Sequence, residues 1–169
     1  MAIDDIKLVS LDVDGVLSEG KIVVLDDGTE MKEFDVHDGH GIRLLYRAGL
    51  LAAIISGRAS KAVAIRAKDL EIEDVYLGIH NKREAFDEIL GKRSLDASEI
   101  CVVGDDLPDM PIMRRCGFAV AVANARPEVK EIADYVTKAQ GGHGAVREVI
   151  EKILRAQDKW ADVMARYLD

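Results

Sequence analysis

A chain of 169 residues with 31 Asp and Glu against 23 Lys and Arg, a formal net charge of −8, has no basic stripe with which to displace counterions from a nucleic acid. Its 49% hydrophobic content and near-zero mean hydropathy suit one globular core, and the length predicts a single domain over residues 1–169. No apolar run is long enough to span a membrane and no basic-then-apolar leader is visible, so the expected compartment is the cytoplasm, with Cys101 and Cys116 as reduced thiols in apolar surroundings.

In chain order, Lys7 to Leu11 is a short apolar run with the composition of a buried strand, and it stops at Asp12-Val13-Asp14-Gly15. Lys21–Leu25 and Thr29–Phe34 alternate around Asp26-Asp27-Gly28, which predicts a β-hairpin over about residues 20–34. Asp35 to Gly41 reads as a polar, glycine-bearing loop feeding a helix from Ile42 to Ala48. Leu51–Ile55 is a second buried strand ending at Ser56-Gly57-Arg58, followed by a helix to about Leu70 and a short strand at Val75–Leu77. A helix from Asn81 to Leu90 precedes the all-apolar Ile100–Val103, which ends in Gly104-Asp105-Asp106-Leu107-Pro108-Asp109. Phe118–Val122 and Tyr135–Val136 read as the last strands, separated by a helix that Pro127 opens. After Gly141-Gly142-His143-Gly144, apolar residues at helical spacing predict one long helix over about 144–168. Strands alternating with helices predict an α/β fold: a three-layer, Rossmann-like parallel sheet with an inserted hairpin.

The polar groups gather at the carboxyl ends of the predicted strands, where open α/β sheets bind ligands. Asp12 and Asp14 fall on one side of an extended chain and repel each other unless a cation intervenes, for which hard carboxylate oxygens suit Mg²⁺. An EF-hand fails because Gly15 is fourth and Val23 twelfth in its loop; a P-loop fails because Ile22 stands where Ser or Thr is required. With Ser56, Lys82, Asp105, Asp106 and Asp109, the set meets the needs of phosphoryl transfer at an aspartate. These are a carboxylate nucleophile, a cation to suppress repulsion, fixed donors for the phosphoryl oxygens, and a second acid.

This ordered set resembles the haloacid dehalogenase superfamily of phosphatases. The resemblance implies Asp12 as nucleophile and Asp14 as general acid/base. Ser56 and Lys82 would be phosphate ligands, and Asp12, Asp105 and the backbone carbonyl of Asp14 would hold Mg²⁺, with Asp106 and Asp109 in support. The hairpin with Phe34, the stretch Asp38-Gly39-x-Gly41-Ile42, Ile55 to Ser60, and Gly141 to Glu148 are further similar to the phosphatases of 3-deoxy-D-manno-octulosonate 8-phosphate, over almost the whole chain. That likeness implies lipopolysaccharide precursor synthesis, with the sugar acid and its phosphate held by Asp14, Asp35, Val36, His37, Asp38, Gly39, Ser56, Gly57, Arg58, Arg66 and Lys82. Position 37 is His where such chains commonly carry Arg, and Asn81 stands where Asp often precedes the lysine. Phosphatases of nonulosonate 9-phosphates look alike over most of this length but tend to carry Glu at the place of Arg58. A phospho-accepting signalling domain, the reading from another class, has no use for Asp14 or the hairpin. Only about twenty residues separate Asp14 from Asp35, too few for a cap domain. The hairpin's apolar face therefore predicts association, and the resemblance implies a homotetramer whose hairpins roof neighbouring sites.

Overall fold

The computed structural model describes residues 3–168. Six strands form one parallel sheet: β1 (Leu8–Leu11), β4 (Leu51–Ser56), β5 (Asp74–Leu77), β6 (Ile100–Gly104), β7 (Phe118–Ala121) and β8 (Tyr135–Val136), in the order β5-β4-β1-β6-β7-β8. β1, β6 and β7 are buried along their whole length, which is why they read as unbroken apolar runs and not as alternating ones. Flanking helices include α1 (Val36–Arg47), α2 (Lys61–Asp69), α3 (Lys82–Arg93), α4 (Met110–Met113), α5 (Pro127–Ile132) and α6 (Ala145–Ala156), with α1 packed on α6 and α3 on α4. The chain goes from β1 outward to β4 and β5, then returns to β6 on the other side of β1. The direction of winding thus reverses between β1 and β6, and a ligand crevice forms at their carboxyl ends.

The hairpin is present but short. Only β2 (Val23–Val24) and β3 (Glu30–Met31) pair, antiparallel, around a turn closed by Gly28 N–H to Leu25 O at 2.8 Å. Ile22, Val24, Leu25 and Met31 are all exposed. Among the described residues nothing else intervenes between β1 and α1, and only α2 and β5 lie between β4 and α3, so the crevice has no cap domain.

Two predicted elements differ. Asp35 to Gly41 is not a loop: Asp35 is the N-cap of α1, accepting the His37 N–H at 2.6 Å, and the helix begins at Val36. The glycines that suggested a loop answer to packing. A Cβ on Gly41 would press on the backbone of Arg147 in α6, and one on Gly39 would collide with the Arg66 guanidinium.

The long C-terminal helix is broken. α6 ends at Ala156, and α7 (Trp160–Ala165) follows. Asp158 takes a left-handed conformation (φ 55°), Lys159 N–H bonds Leu154 O at 2.8 Å and Asp158 N–H bonds Arg155 O at 3.3 Å. That is a Schellman ending with Asp in place of the usual Gly. The Gln157 side chain then ties the break to Ile3 and Ile6 carbonyls at 3.1 and 2.8 Å. The signal was in the stripe, which has no apolar residue at 157 or 158. The segment beyond turns back on α1, where the Tyr167 hydroxyl meets Arg47 and His40.

Candidate active site

Asp12 follows β1 directly, its N–H still held by Val103 O of β6 at 3.2 Å. The chain then leaves the strand conformation. Gly15 is at φ 96°, Gly15 N–H bonds Ser18 O at 3.0 Å, and Ser18 N–H and Oγ both donate to Val13 O. Any side chain at Gly15 would overlap the Asp105 carboxylate, so glycine is needed there for space as well as for φ.

Because the strand has ended, the Asp12 and Asp14 carboxylates take different partners. Asp12 Oδ1 accepts from Lys82 Nζ at 2.6 Å. Asp14 Oδ1 accepts from Lys32 Nζ, and its Oδ2 lies 3.7 Å from Arg58 Nε. The Asp14 side chain is thus outside the carboxylate cluster.

That cluster comprises Asp12, Asp105 and Asp109, with one carboxylate oxygen from each within 4.8 Å of the others. Asp109 is an organiser. Its Oδ1 takes Lys82 Nζ at 2.7 Å, and its Oδ2 takes the N–H groups of Asp105 at 3.1 Å and Asp106 at 3.4 Å. Gly104 is glycine because a Cβ would strike this carboxylate. Asp106 accepts from Leu107 N–H at 2.8 Å and so caps the next turn. With Asp109 committed, Asp12 and Asp105 are the side chains able to hold a hard cation, and a pair of carboxylates completed by waters and a carbonyl suits Mg²⁺.

Electrostatics say the same. Burial, with Asp12 and Asp109 adding to it, pushes the Asp105 carboxyl up to about 8. Burial and then Asp109 push Asp12 up to about 6 against the pull of Lys82. Burial alone would lower Lys82, but Asp12 and Asp109 outweigh it and hold the ammonium above its ordinary value. Both carboxyls bind more protons folded than unfolded. Their stabilisation is therefore complete below the ordinary carboxylate value of 3.8 and lost as pH rises through about 6 and about 8. In thermal melts without metal, the unfolding temperature should fall on going from mildly acid to mildly alkaline buffer. Added Mg²⁺ should raise it more at the alkaline end. A Mg²⁺ effect independent of pH would detach the cation from this cluster.

The remaining expected residues divide. Ser56 closes β4, is buried, and its Oγ accepts from Arg58 N–H at 3.3 Å. Gly57 follows, with Ile79 N–H bonding Ser56 O at 3.0 Å. Arg58 reaches the hairpin, where Nη2 donates to Glu30 Oε2 at 2.7 Å. Arg66 pairs with Asp69 at 2.9 Å and packs against Gly39. Val36 and His37 are exposed, and the Asp35 carboxylate is engaged as a cap.

Asp38 is a correction. It is 1% exposed, and its carboxylate accepts Gly144 N–H at 3.3 Å and Arg147 N–H at 2.8 Å, capping α6 from a different helix. Burial pushes this carboxyl up to about 6. Its side chain is structural and not a sugar contact. Asn81, by contrast, is the N-cap of α3, a position where Asn serves as well as Asp and which sets Lys82 in the first turn.

Sequence reading missed Lys32, Glu30 and Asn124. Asn124 accepts Gly141 N–H at 2.7 Å and donates to Gly15 O at 3.5 Å. It thereby binds the loop after β1 to Gly141-Gly142, where any Cβ on Gly141 would strike the Gly15 carbonyl. Lys32 and Glu30 were legible from period two: they share a hairpin side with Phe34, which packs on the core.

Fold and site together define a haloacid dehalogenase-like hydrolase, and the pattern of that family matches residues 71–150. Over 156 residues the chain is 46% identical to the 3-deoxy-D-manno-octulosonate 8-phosphate phosphatase KdsC of Escherichia coli (strain K12), covering 92% of this chain and 83% of that protein. The phosphatase of that name from Yersinia pestis superposes with a TM-score of 0.92 at 44% identity, over 94% of this chain and 85% of that one. The Moraxella catarrhalis phosphatase, solved in complex with magnesium ion, phosphate ion and KDO, superposes with a TM-score of 0.95 at 41% identity, over 98% and 95%. The chain belongs to the family of 3-deoxy-D-manno-octulosonate 8-phosphate phosphatases.

Proposed function

We propose that the protein is a Mg²⁺-dependent phosphomonoesterase that hydrolyses 3-deoxy-D-manno-octulosonate 8-phosphate to the free sugar acid and inorganic phosphate, in the cytoplasm, on the route to lipopolysaccharide precursors. The observation that carries this reading is the Asp12 carboxylate held between Lys82 and the Asp105–Asp109 pair at the winding reversal of the sheet.

An Asp12 oxygen attacks phosphorus, the bond from phosphorus to the sugar oxygen breaks, and Asp14 gives that oxygen its proton. Asp14 then takes a proton from water as the water attacks the aspartyl-phosphate, which releases phosphate and restores the Asp12 carboxylate. Asp12, Asp105 and the Asp14 carbonyl would hold Mg²⁺, which would supply charge neutralisation for the phosphoryl group. Lys82 and the Ser56 hydroxyl hold the phosphoryl oxygens, while Arg58 and Arg66 concentrate positive charge for the sugar carboxylate in an acidic protein. Phosphate release from a panel of sugar phosphates, with and without Mg²⁺, tests the reading. The octulosonate ester should be preferred and release should stop with chelator. Equal turnover of neutral sugar phosphates would overturn the substrate assignment.

The exposed hairpin side chains support a homotetramer in which hairpins cover one another and roof neighbouring crevices. Light scattering is the measurement, and a fully active monomer would refute the shared site.

A further inference from the structure

The hairpin does more within its own subunit than present an apolar face. Lys32 immediately follows the returning strand β3, with a side chain only 1% exposed, and its ammonium meets Asp14 Oδ1 directly. Glu30 Oε1 lies 3.2 Å from the same ammonium as an ion pair, without a hydrogen bond between them. Glu30 is in turn held by Arg58 Nη2 at 2.7 Å, and Arg58 Nε lies 3.7 Å from Asp14 Oδ2. Arg58, Glu30, Lys32 and Asp14 therefore close a ring of alternating charge that joins the hairpin to the loop after β1. A surface lysine kept this dry carries a rotamer and desolvation cost that an ordinary exposed ion pair does not justify. The backbone of the loop after β1 is anchored by Asn124 and by Gly142 N–H on Val16 O, but among the described residues the Asp14 carboxylate, which must meet the ester oxygen in one orientation, takes its partners from Lys32 and Arg58.

We propose that Lys32 is a positioning residue for Asp14: it pins Oδ1, so that Oδ2 is the oxygen that exchanges the proton with substrate. The hairpin is thereby part of the catalytic machinery of its own subunit, and Glu30 orients Lys32. This rests on the reading of Asp14 as the general acid.

The test uses two aryl esters of the same shape, phenyl phosphate and p-nitrophenyl phosphate, with the full-length protein and Mg²⁺. Phenoxide is a poor leaving group and needs the acid; p-nitrophenoxide leaves with little help. kcat/KM reports the step in which the ester bond breaks. Lys32→Met should lower kcat/KM on phenyl phosphate by about tenfold or more beyond its effect on p-nitrophenyl phosphate, a fraction of the 10²–10⁴ that a positioned acid supplies. Lys32→Arg should recover much of that difference, and Lys32→Met should add little in an Asp14→Asn background.

An equal fall on both esters would make Lys32 a brace of the fold or a phosphate ligand. A fall confined to the octulosonate ester would make it a sugar contact. Either overturns the proposal. A leaving-group bias in Asp14→Asn with none in Lys32→Met rejects Lys32 alone, whereas no bias in Asp14→Asn removes the acid role itself and the proposal with it.

Discussion

Asp12→Asn is expected to lower kcat by at least about 10⁴-fold while the protein stays folded, since an amide cannot form the phosphoryl-enzyme bond and the loss of a nucleophile is the largest single-residue effect in enzymes of this kind. The variant separates a catalytic carboxylate from a structural one by the sign of its stability effect. Asp12 is held above its ordinary carboxylate value by burial and by Asp109, so its negative charge works against the fold at neutral pH. Asn keeps the shape and an oxygen to accept from Lys82. Without metal the melting temperature should hold or rise at pH 7 to 8, as is common where an active site stores repulsion. A substantial fall in stability would recast Asp12 as a structural anchor, and near-normal turnover would sink the nucleophile assignment.

The parts of this molecule that the sequence makes legible are those set by a single strong local rule. Buried parallel strands such as Ile100–Gly104 announce themselves as unbroken apolar runs, and the carboxylates at their ends fall where the topology puts a crevice. Three readings failed where two rules competed. Gly39 and Gly41 suggested a loop by propensity, yet both sit in α1, where a Cβ on Gly39 would meet the Arg66 guanidinium and one on Gly41 would crowd Arg147 of α6. Asp38 looked like a ligand by its polarity and position, yet a helix N-terminus from distant sequence takes both its oxygens. Asp14 was paired with Asp12 by strand periodicity, but β1 ends at Leu11 and the chain has left the extended conformation before Asp14. Lys32 lay in plain sight on the inward face of the hairpin. Its partner is a carboxylate 18 residues away, and no local pattern encodes that contact.

Lys82→Met is the second variant expected to have a large effect, and it acts on stability and turnover together. Lys82 is 5% exposed and its ammonium is the cation that Asp12 and Asp109 share, at 2.6 and 2.7 Å. Removing one member of a buried ion pair leaves an uncompensated charge, which typically costs about 3–5 kcal/mol, and here two carboxylates are left facing each other. Without metal the variant should be markedly less stable at pH 8 and recover as the pH falls, because protonating either carboxyl removes the repulsion. Mg²⁺ should restore much of the stability, as a second cation at the same cluster. Turnover should not follow. Loss of a fixed donor to the phosphoryl oxygens costs about 10²–10³-fold, and an Asp12 carboxyl freed from its lysine spends more of its time protonated and unable to attack. The decisive comparison is the double variant Lys82→Met, Asp109→Asn, measured by metal-free thermal melts and by phosphate release. With one buried charge removed the melting temperature should return towards that of the parent protein, while activity stays low. Recovery of both would reduce Lys82 to a counterion for Asp109, and recovery of neither would place the damage in the packing of α3.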